Sequence, residues 1–194
     1  MKGILFLLLS QIMVPEESLR FTHVYKQGYD TSCGVAATAS LLRYYWNIPV
    51  EEADLYQTMI LDQAAGDADT YTISFLDIME EARRHGLAAR SYKMDWAALQ
   101  DALEKGFGPA LINYDKPQPH FALLVHCEKG FAFVEDPAKG FEIVDKTTFE
   151  ENYSGNALLT AGRGVAKDTE RLQQIAGDGA ARLEALQKLA WRRR

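Results

Sequence analysis

The hydrophobic pattern of the 194-residue chain changes near its midpoint, and this change most constrains the fold. Over most of residues 33–105, apolar side chains recur at helical spacing, as at Trp96, Leu99 and Leu103. Residues 109–144 consist instead of short apolar runs separated by turn residues, which is a strand pattern. Helices followed by antiparallel strands predict an α+β fold in which a helical half packs on a sheet.

The same patterns predict individual elements. Helices are predicted at residues 33–46, 50–63, 74–85, 95–105 and 168–194. Short strands are predicted at residues 21–26, 88–93, 109–114, 121–127, 131–135 and 141–144. Ser74 with Asp77 three residues later has the spacing of a capping box. Residues 63–72 are rich in Gly, Ala and Asp and are predicted to be a loop.

The last helix is predicted to break at the G-D-G sequence of residues 177–179. Leu183, Leu186 and Ala190 give it a narrow apolar stripe, which favours a helix lying against the domain over a dedicated partner-binding helix. The predicted organisation is an N-terminal apolar segment, one core-bearing domain and a helical tail, at residues 1–20, 21–163 and 164–194.

The formal net charge of −6 is unevenly spread. Residues 164–194 hold seven of the 21 basic and four of the 27 acidic side chains, which leaves residues 1–163 with 14 and 23, a charge of −9. An acidic body lacks the clustered Lys and Arg of a nucleic-acid groove. Two cysteines are too few for a disulfide framework or a thiolate zinc site. From the charge and the cysteine count together, we expect no nucleic-acid partner, no metal and no other cofactor.

The first nine residues, M-K-G-I-L-F-L-L-L, combine a basic start with an apolar run. This is the shape of a secretory signal and is too short for a membrane span; a buried N-terminal strand is the alternative. No other stretch is apolar enough to cross a bilayer, so we expect no membrane span in the mature chain. We predict export to a bacterial periplasm or beyond the cell.

Cys33 lies at the start of an apolar helix, in the segment Q-G-Y-D-T-S-C-G of residues 27–34. The N–H groups and the dipole of a helix N-terminus stabilise a thiolate, which is the reactive form of cysteine. Gln27 and the Cys33 backbone N–H can donate to an oxyanion on an attacked carbonyl, and Gly34 leaves room for that carbonyl. The segment predicts a nucleophilic cysteine; a small buried residue in an Ala-rich helix is the alternative.

His120 and Asp136 lie on neighbouring strands of a predicted hairpin. A three-residue E-K-G loop joins the strands and pairs Cys127 with Phe131. Counting back places Ala122 opposite Asp136, so His120 and Asp136 share a face, one diagonal step of about 7–8 Å apart. A carboxylate that holds one imidazole nitrogen leaves the other to accept the cysteine proton. We predict that His120 is a general base and that Asp136 orients it.

The other three histidines are less suited to this role. His126 is predicted on the same strand face as His120, but close to the turn. His23 precedes the cysteine motif, and His85 lies at a helix end, where the helix dipole favours a cation. We therefore favour His120 as the base.

Two other residues of the hairpin are predicted to lie at the surface or in the core instead of in the candidate site. Glu135 faces away from Asp136 and is predicted to be a surface residue, whereas Cys127 faces away from His120 and is predicted in the core. Cys127 would pair with Cys33 only in an oxidised, inactive site. His120 and Asp136 have no third ligand at suitable spacing, which argues against a metal site.

Residues 27–46, Q-G-Y-D-T-S-C-G-V-A-A-T-A-S-L-L-R-Y-Y-W, resemble the start of the double-glycine leader peptidases, the peptidase domains of bacteriocin-exporting ABC transporters. The later runs P-H-F-A-L-L-V and V-E-D-P-A-K-G resemble the His and Asp-Pro blocks of that family. The resemblance covers residues 25–160. It implies a papain-like fold, in which a helical half with the cysteine packs on an antiparallel sheet with the histidine and aspartate.

The resemblance also implies that Cys33 is the nucleophile and His120 the base. Asp136 would orient the base, and Gln27 would bind the oxyanion. Ser32 precedes the cysteine where the exporter domains usually have Asp, and we expect no transporter to follow the domain. The chain thus resembles the stand-alone exported members associated with secretion of functional amyloid or fimbrial subunits, which implies a polypeptide substrate of that kind.

Three functions are compatible with these residues. We favour a thiol peptidase that cleaves an exported polypeptide through an acyl-enzyme intermediate. A catalytically silent peptide-binding domain of the same fold would assist secretion without cleavage, and the presence of Cys33 weighs against it. A papain-like acyltransferase would pass the acyl group to an amine or thiol instead of water.

Overall fold

The computed structural model describes residues 19–29, 31–63, 72–162 and 164–191. Nearly all of the predicted N-terminal segment and most of the predicted loop at residues 63–72 lie outside the described residues, as does Asp30 of the cysteine motif. In the described part of the chain, no helix has the length and hydrophobicity needed to cross a membrane.

Six helices and six strands lie within the described residues. Helices α1 to α6 span Cys33–Ser40, Glu52–Tyr56, Phe75–Arg84, Trp96–Glu104, Lys146–Asn152 and Thr169–Trp191. Strands β1 to β6 span Leu87–Lys93, Ala110–Tyr114, His120–Glu128, Phe131–Asp136, Gly140–Asp145 and Tyr153–Gly162. Helices α1 and α2 each continue as a π-helical turn, at Leu41–Tyr45 and Gln57–Leu61.

The strands form one antiparallel sheet in the order β1-β6-β2-β3-β4-β5. One face packs on α1, α2 and α3, whose side chains Val35, Leu55 and Ile78 belong to the same buried cluster as Leu123. The other face is covered by α4 and α5 through Trp96 and Phe149. The predicted α+β class, with the N-terminal helices packed on an antiparallel sheet, is confirmed.

Most predicted elements form within a few residues of their predicted bounds, and the capping box of Ser74 and Asp77 is present. The predicted strand at residues 21–26 is wrong, because this segment has no strand partner and the Tyr25 N–H donates to the Ser40 hydroxyl oxygen. The sequence pattern missed α5 and β6. Gly155 interrupts the apolar pattern of β6 and lies at a φ of 81°.

The β3–β4 hairpin turns through two residues rather than the predicted three. Glu128 pairs with Phe131, so the predicted pairing of Cys127 with Phe131 is wrong. Lys129 and Gly130 form the turn with φ values of 50° and 79°. Two consecutive positive φ values match the right-handed twist of the flanking strands and favour glycine at the second position.

One extra residue in β3 then restores the predicted alignment near the strand ends. Leu124 pairs with Val134 and His126 pairs with Phe133, which leaves Val125 as a bulge. Beyond the bulge Leu123 lies beside Glu135, as the predicted register requires. The two deviations from the simple hairpin therefore cancel before the strands reach His120.

The bulge changes which face His126 and Cys127 occupy. Cys127 packs with Ala122 and Leu124, and its predicted place in the core is confirmed although its predicted face is wrong. The His126 ring lies 5.6 Å from the Phe133 ring, on the opposite face. The shift follows because side chains alternate along a strand and an extra residue exchanges the faces beyond it.

Glu135 is buried, and its prediction as a surface residue is wrong. Strand β4 lies between β3 and β5, and the face that carries Glu135 is covered, so the side chain is only 2% exposed. The Tyr45 hydroxyl donates a hydrogen bond to the carboxylate. Burial raises the pKa of Glu135 to about 8, against opposing effects of the Tyr45 hydrogen bond and the charge of Arg171.

Helix α6 is continuous from Thr169 to Trp191, so the predicted break at residues 177–179 is wrong. Its contact stripe is Ile175, Gly179 and Leu183, at a spacing of four residues, and Leu186 is exposed. A Cβ atom on Gly179 would lie 2.6 Å from the Phe133 ring. The glycine therefore allows the helix backbone to approach the sheet closely, and the helix lies against the domain as favoured from the sequence.

The two glycines of α6 give a matched test of this packing. Gly179→Ala should lower the free energy of unfolding by about 1–3 kcal/mol, because the new methyl group overlaps a buried ring. Gly177→Ala should raise it by about 0.5–1 kcal/mol, since nothing lies within 4 Å of the added Cβ and alanine favours the helix. Urea denaturation of both variants measures the difference, and equal effects would contradict the packing described.

The buried Glu135 predicts a pH dependence of stability. Its folded-state pKa of about 8 lies above the ordinary value of 4.5, so its contribution is fully present below pH 4.5 and is lost as the pH rises towards 8. The stability of Glu135→Gln relative to the native protein should therefore increase over this interval and change little outside it. Urea denaturation at successive pH values tests this, and a pH-independent difference would contradict it.

Candidate active site

The N-terminus of α1 meets the start of β3 at a cleft of about 580 Å³. Cys33, His120 and Gln27 all line the cleft, and Asp136 lies behind His120. Helix α1 reaches this position because its small residues pack closely on the sheet; Val35, for example, is fully buried. The structure thus brings together the four residues that the sequence identified as candidates.

The His120 imidazole joins Asp136 to Cys33. Its Nε2 atom lies 2.8 Å from Asp136 Oδ1, and the Asp136 side chain is 1% exposed. The Ala138 N–H donates to the same carboxylate oxygen at 2.7 Å, which fixes the carboxylate. Since Nε2 is occupied by Asp136, Nδ1 is the nitrogen left to interact with Cys33, which lines the same cleft.

The surroundings of Cys33 favour its thiolate. Burial by itself would raise the pKa of the thiol. Hydrogen bonds to the His120 side chain and to the backbone at Phe121 and Gly34, together with the charge of His120, outweigh burial and hold the pKa below its ordinary value. A helix N-terminus stabilises a thiolate in the same direction.

His120 and Asp136 are shifted in opposite directions. Burial alone would lower the pKa of His120, but hydrogen bonds and charge from Asp136 and Cys33 raise it to about 9. Burial alone would raise the pKa of Asp136, whereas the His120 hydrogen bond and charge lower it. These shifts favour an imidazolium at His120, between the carboxylate of Asp136 and the thiolate form of Cys33.

Gln27 is fixed at both its backbone and its side chain. Its backbone N–H donates to the Pro137 carbonyl at 3.0 Å, directly after Asp136 in the chain. Its Nε2 donates to the Tyr29 carbonyl, also at 3.0 Å. These two contacts place the amide group at the wall of the cleft that contains Cys33.

The remaining cleft wall was not identified from the sequence. Ile73, Phe75 and Phe121 form its apolar part, and the rings of Phe75 and Phe121 meet edge to face with centroids 5.2 Å apart. A Cβ on Gly34 would lie 3.0 Å from Ile73 and 3.1 Å from Phe121, so this glycine serves close packing against the wall. No sequence spacing links these residues to Cys33, because tertiary packing alone joins them.

The alternative histidines lie elsewhere. His85 Nε2 is 3.0 Å from the buried Glu81 carboxylate, and the His23 ring meets the Tyr44 ring with centroids 6.1 Å apart. Neither lines the cleft, nor does His126. Among the described residues, no three His, Cys, Asp or Glu side chains are grouped as a metal site would require.

Two known proteins are similar to this chain in sequence. Two relatives are named "Probable functional amyloid protease FapD": one from Pseudomonas aeruginosa is 27% identical over 146 residues, and one from Pseudomonas fluorescens is 26% identical over 149. The alignments cover 75% and 76% of this chain. They cover 63% and 64% of the two relatives, so the chain matches less than two thirds of their length.

Two solved structures have the same fold. A double glycine motif protease from an AMS/PCAT transporter, in complex with a leader peptide, superposes with a TM-score of 0.54 at 23% identity over 71% of this chain and 89% of that one. The peptidase domain of Streptococcus ComA superposes with a TM-score of 0.61 at 20% identity over 73% of this chain and 98% of that one. These neighbours confirm the predicted papain-like architecture.

The resemblance found from the sequence is confirmed by a family model. The model described as "Peptidase C39 family" matches residues 22–164, which includes α1, the β3–β4 hairpin and the cleft between them. This match spans well over half of the chain. The chain therefore belongs to the Peptidase C39 family.

Proposed function

We propose that the protein is a cysteine peptidase that cleaves an exported polypeptide through an acyl-enzyme intermediate. The observation that carries the proposal is the position of the His120 side chain, which is hydrogen-bonded to Asp136 and lines the same cleft as Cys33. Membership of a peptidase family and the protease names of two relatives support the same reaction class.

In the first step the Cys33 thiolate attacks a substrate carbonyl carbon in the cleft. The negative charge that develops on the carbonyl oxygen is stabilised by the Cys33 backbone N–H and the Gln27 side-chain amide. The Cys33–carbon bond forms and the C–N bond of the scissile peptide breaks. The His120 imidazolium gives its proton to the departing amine, so the amine leaves uncharged.

In the second step water hydrolyses the thioester. Neutral His120 accepts a proton from water, the resulting hydroxide attacks the thioester carbonyl, and Cys33 leaves as the thiolate. Asp136 keeps Nδ1 directed at the thiol and stabilises the imidazolium when it forms again. The enzyme returns to its starting protonation state.

The names of the relatives support a proposal for the substrate, and the signal-like start of the sequence supports one for the location. The FapD proteins are named as functional amyloid proteases, and one structural neighbour was solved with a leader peptide. By analogy we propose an exported amyloid or fimbrial subunit as the substrate, and the bacterial periplasm or the cell exterior as the place of cleavage. Peptides with a double-glycine site are the first sequences to test.

Thiol alkylation tests the activated cysteine without a substrate. Iodoacetamide should label Cys33 rapidly well below pH 8, whereas Cys127, whose burial raises its pKa to about 12, should remain unlabelled. His120→Ala removes the hydrogen bond and charge that lower the pKa of Cys33, so labelling at pH 7 should slow about tenfold or more. Mass spectrometry of both cysteines across pH gives the rates.

His126→Ala is the matched control for this experiment, because His126 lies on the same strand but outside the cleft. It should leave the labelling rate of Cys33 unchanged. If Cys33 reacts as slowly as an ordinary thiol and does not respond to His120→Ala, the peptidase proposal fails.

Peptide cleavage tests the complete reaction. The protein should cleave members of a peptide library that contains double-glycine sites, and acid quenching should trap a thioester on Cys33 that intact-mass measurement detects. Cys33→Ala should abolish cleavage, and His120→Ala should lower kcat/KM by about 10²-fold or more. His126→Ala should retain full activity.

Other outcomes of this assay would assign a different function. Binding of peptides to native protein without any cleavage would contradict the proposal and identify a peptide-binding domain. Transfer of the acyl group to an added amine in preference to water would identify an acyltransferase.

A further inference from the structure

Helix α2 holds the loop that leads from Gln27 to Cys33. Glu52 Oε1 accepts a hydrogen bond from the Gly28 N–H at 3.1 Å and lies 2.8 Å from the Ser32 hydroxyl. The Ser32 hydrogen is shared between this carboxylate and the Tyr29 carbonyl at 3.0 Å, and the charged acceptor is the stronger. Ser32 is completely buried, so its hydroxyl depends on partners within the protein.

A second side chain of α2 contacts the same loop. Tyr56 is one helical turn after Glu52, and its ring stacks on Tyr29 with centroids 4.4 Å apart. The Tyr29 N–H donates to the Ser32 hydroxyl oxygen, and the Tyr29 carbonyl accepts from Gln27 Nε2. A continuous chain of contacts thus runs from Glu52 through Ser32 and Tyr29 to the Gln27 amide.

The opposite side of the loop is tied to the sheet. The Gln27 backbone N–H donates to the Pro137 carbonyl, next to Asp136. Helix α2 and the end of β4 therefore hold the loop from two sides. Glu52 does not line the cleft, and its hydrogen bonds reach the site through the loop.

We propose that Glu52 is a positioning residue, which orients the Gln27 amide for the oxyanion formed on a substrate carbonyl. The inference rests on the proposed function, since it assumes that Gln27 and the Cys33 N–H bind that oxyanion. Loss of the carboxylate leaves Gly28 and Ser32 without their ionic acceptor, and the Gln27 amide loses its fixed direction.

The same substitution should leave the thiolate unaffected. The groups that lower the pKa of Cys33 are the His120 side chain and the backbone at Phe121 and Gly34, none of which contacts Glu52. Substitution of Glu52 should therefore weaken oxyanion stabilisation without changing thiol activation. Two reagents can distinguish these effects if one reacts through an oxyanion and the other does not.

4-Nitrophenyl acetate and iodoacetamide are such a pair of reagents. With the ester, the Cys33 thiolate attacks the carbonyl carbon through an oxyanion, a thioester forms and 4-nitrophenolate leaves with the electron pair. With iodoacetamide, the thiolate displaces iodide from a saturated carbon and no oxyanion forms. Glu52→Gln should lower the rate of the 4-nitrophenolate burst about tenfold and Glu52→Ala further, while both keep the alkylation rate at Cys33 within about twofold.

Glu51→Gln is the matched control. Glu51 precedes Glu52, but its carboxylate contacts the Tyr25 hydroxyl at 3.0 Å and the Arg43 guanidinium instead of the loop. This variant should change neither rate. Alkylation also reports whether each variant is folded, because an intact Cys33–His120 contact is needed for rapid labelling at neutral pH.

The inference is overturned if Glu52→Gln leaves the burst unchanged, or if burst and alkylation fall together, which would make Glu52 a support of the fold or the thiol. It is also overturned if the native protein is alkylated at Cys33 but never acylated. Failure of the proposed function has a separate signature: native protein that forms the thioester with the ester yet cleaves no peptide.

Discussion

The hydrogen bond between His120 Nε2 and Asp136 Oδ1 determines which nitrogen of the imidazole faces Cys33. Asp136 is almost completely buried, so this bond is made where opposite charges interact strongly. It stabilises the imidazolium, and the imidazolium in turn stabilises the thiolate. Two strands of the sheet therefore set the electrostatic environment of Cys33, because β3 supplies the imidazole and β4 the carboxylate.

The pKa values of two consecutive carboxyl groups on β4 are shifted in opposite directions because the groups face opposite sides of the sheet. Asp136 meets the His120 imidazole and its pKa is lowered, whereas Glu135 is buried beside the Tyr45 hydroxyl and its pKa is raised to about 8. If Glu135 were ionised near Asp136, the second negative charge would compete for the imidazolium of His120. Its burial as a neutral acid leaves the charge of Asp136 as the one that acts on the site.

The candidate site could be predicted from the sequence largely because its parts lie on short-range elements. The helix of Cys33 follows from its apolar run, and the two strand ends of His120 and Asp136 follow from one hairpin. The predicted proximity of His120 and Asp136 is correct although the predicted turn is wrong, because the bulge at Val125 restores the predicted register.

Properties that depend on packing could not be predicted in this way. The burial of Glu135 requires knowing that β4 is an interior strand with a covered face, and the close approach of Gly179 requires knowing that Phe133 lies opposite. The apolar cleft wall at Ile73 comes from a segment 40 residues from Cys33. These relations arise when the elements pack together, so local patterns do not reveal them.

The conformation of the loop between Gln27 and Cys33 also depends on packing. Contacts to α2 hold the loop on one side, and a contact to the end of β4 holds it on the other. Correct placement of the Gln27 amide thus requires that the helices and the sheet are already docked, and a partly opened domain would retain a thiol while losing the oxyanion site proposed at Gln27.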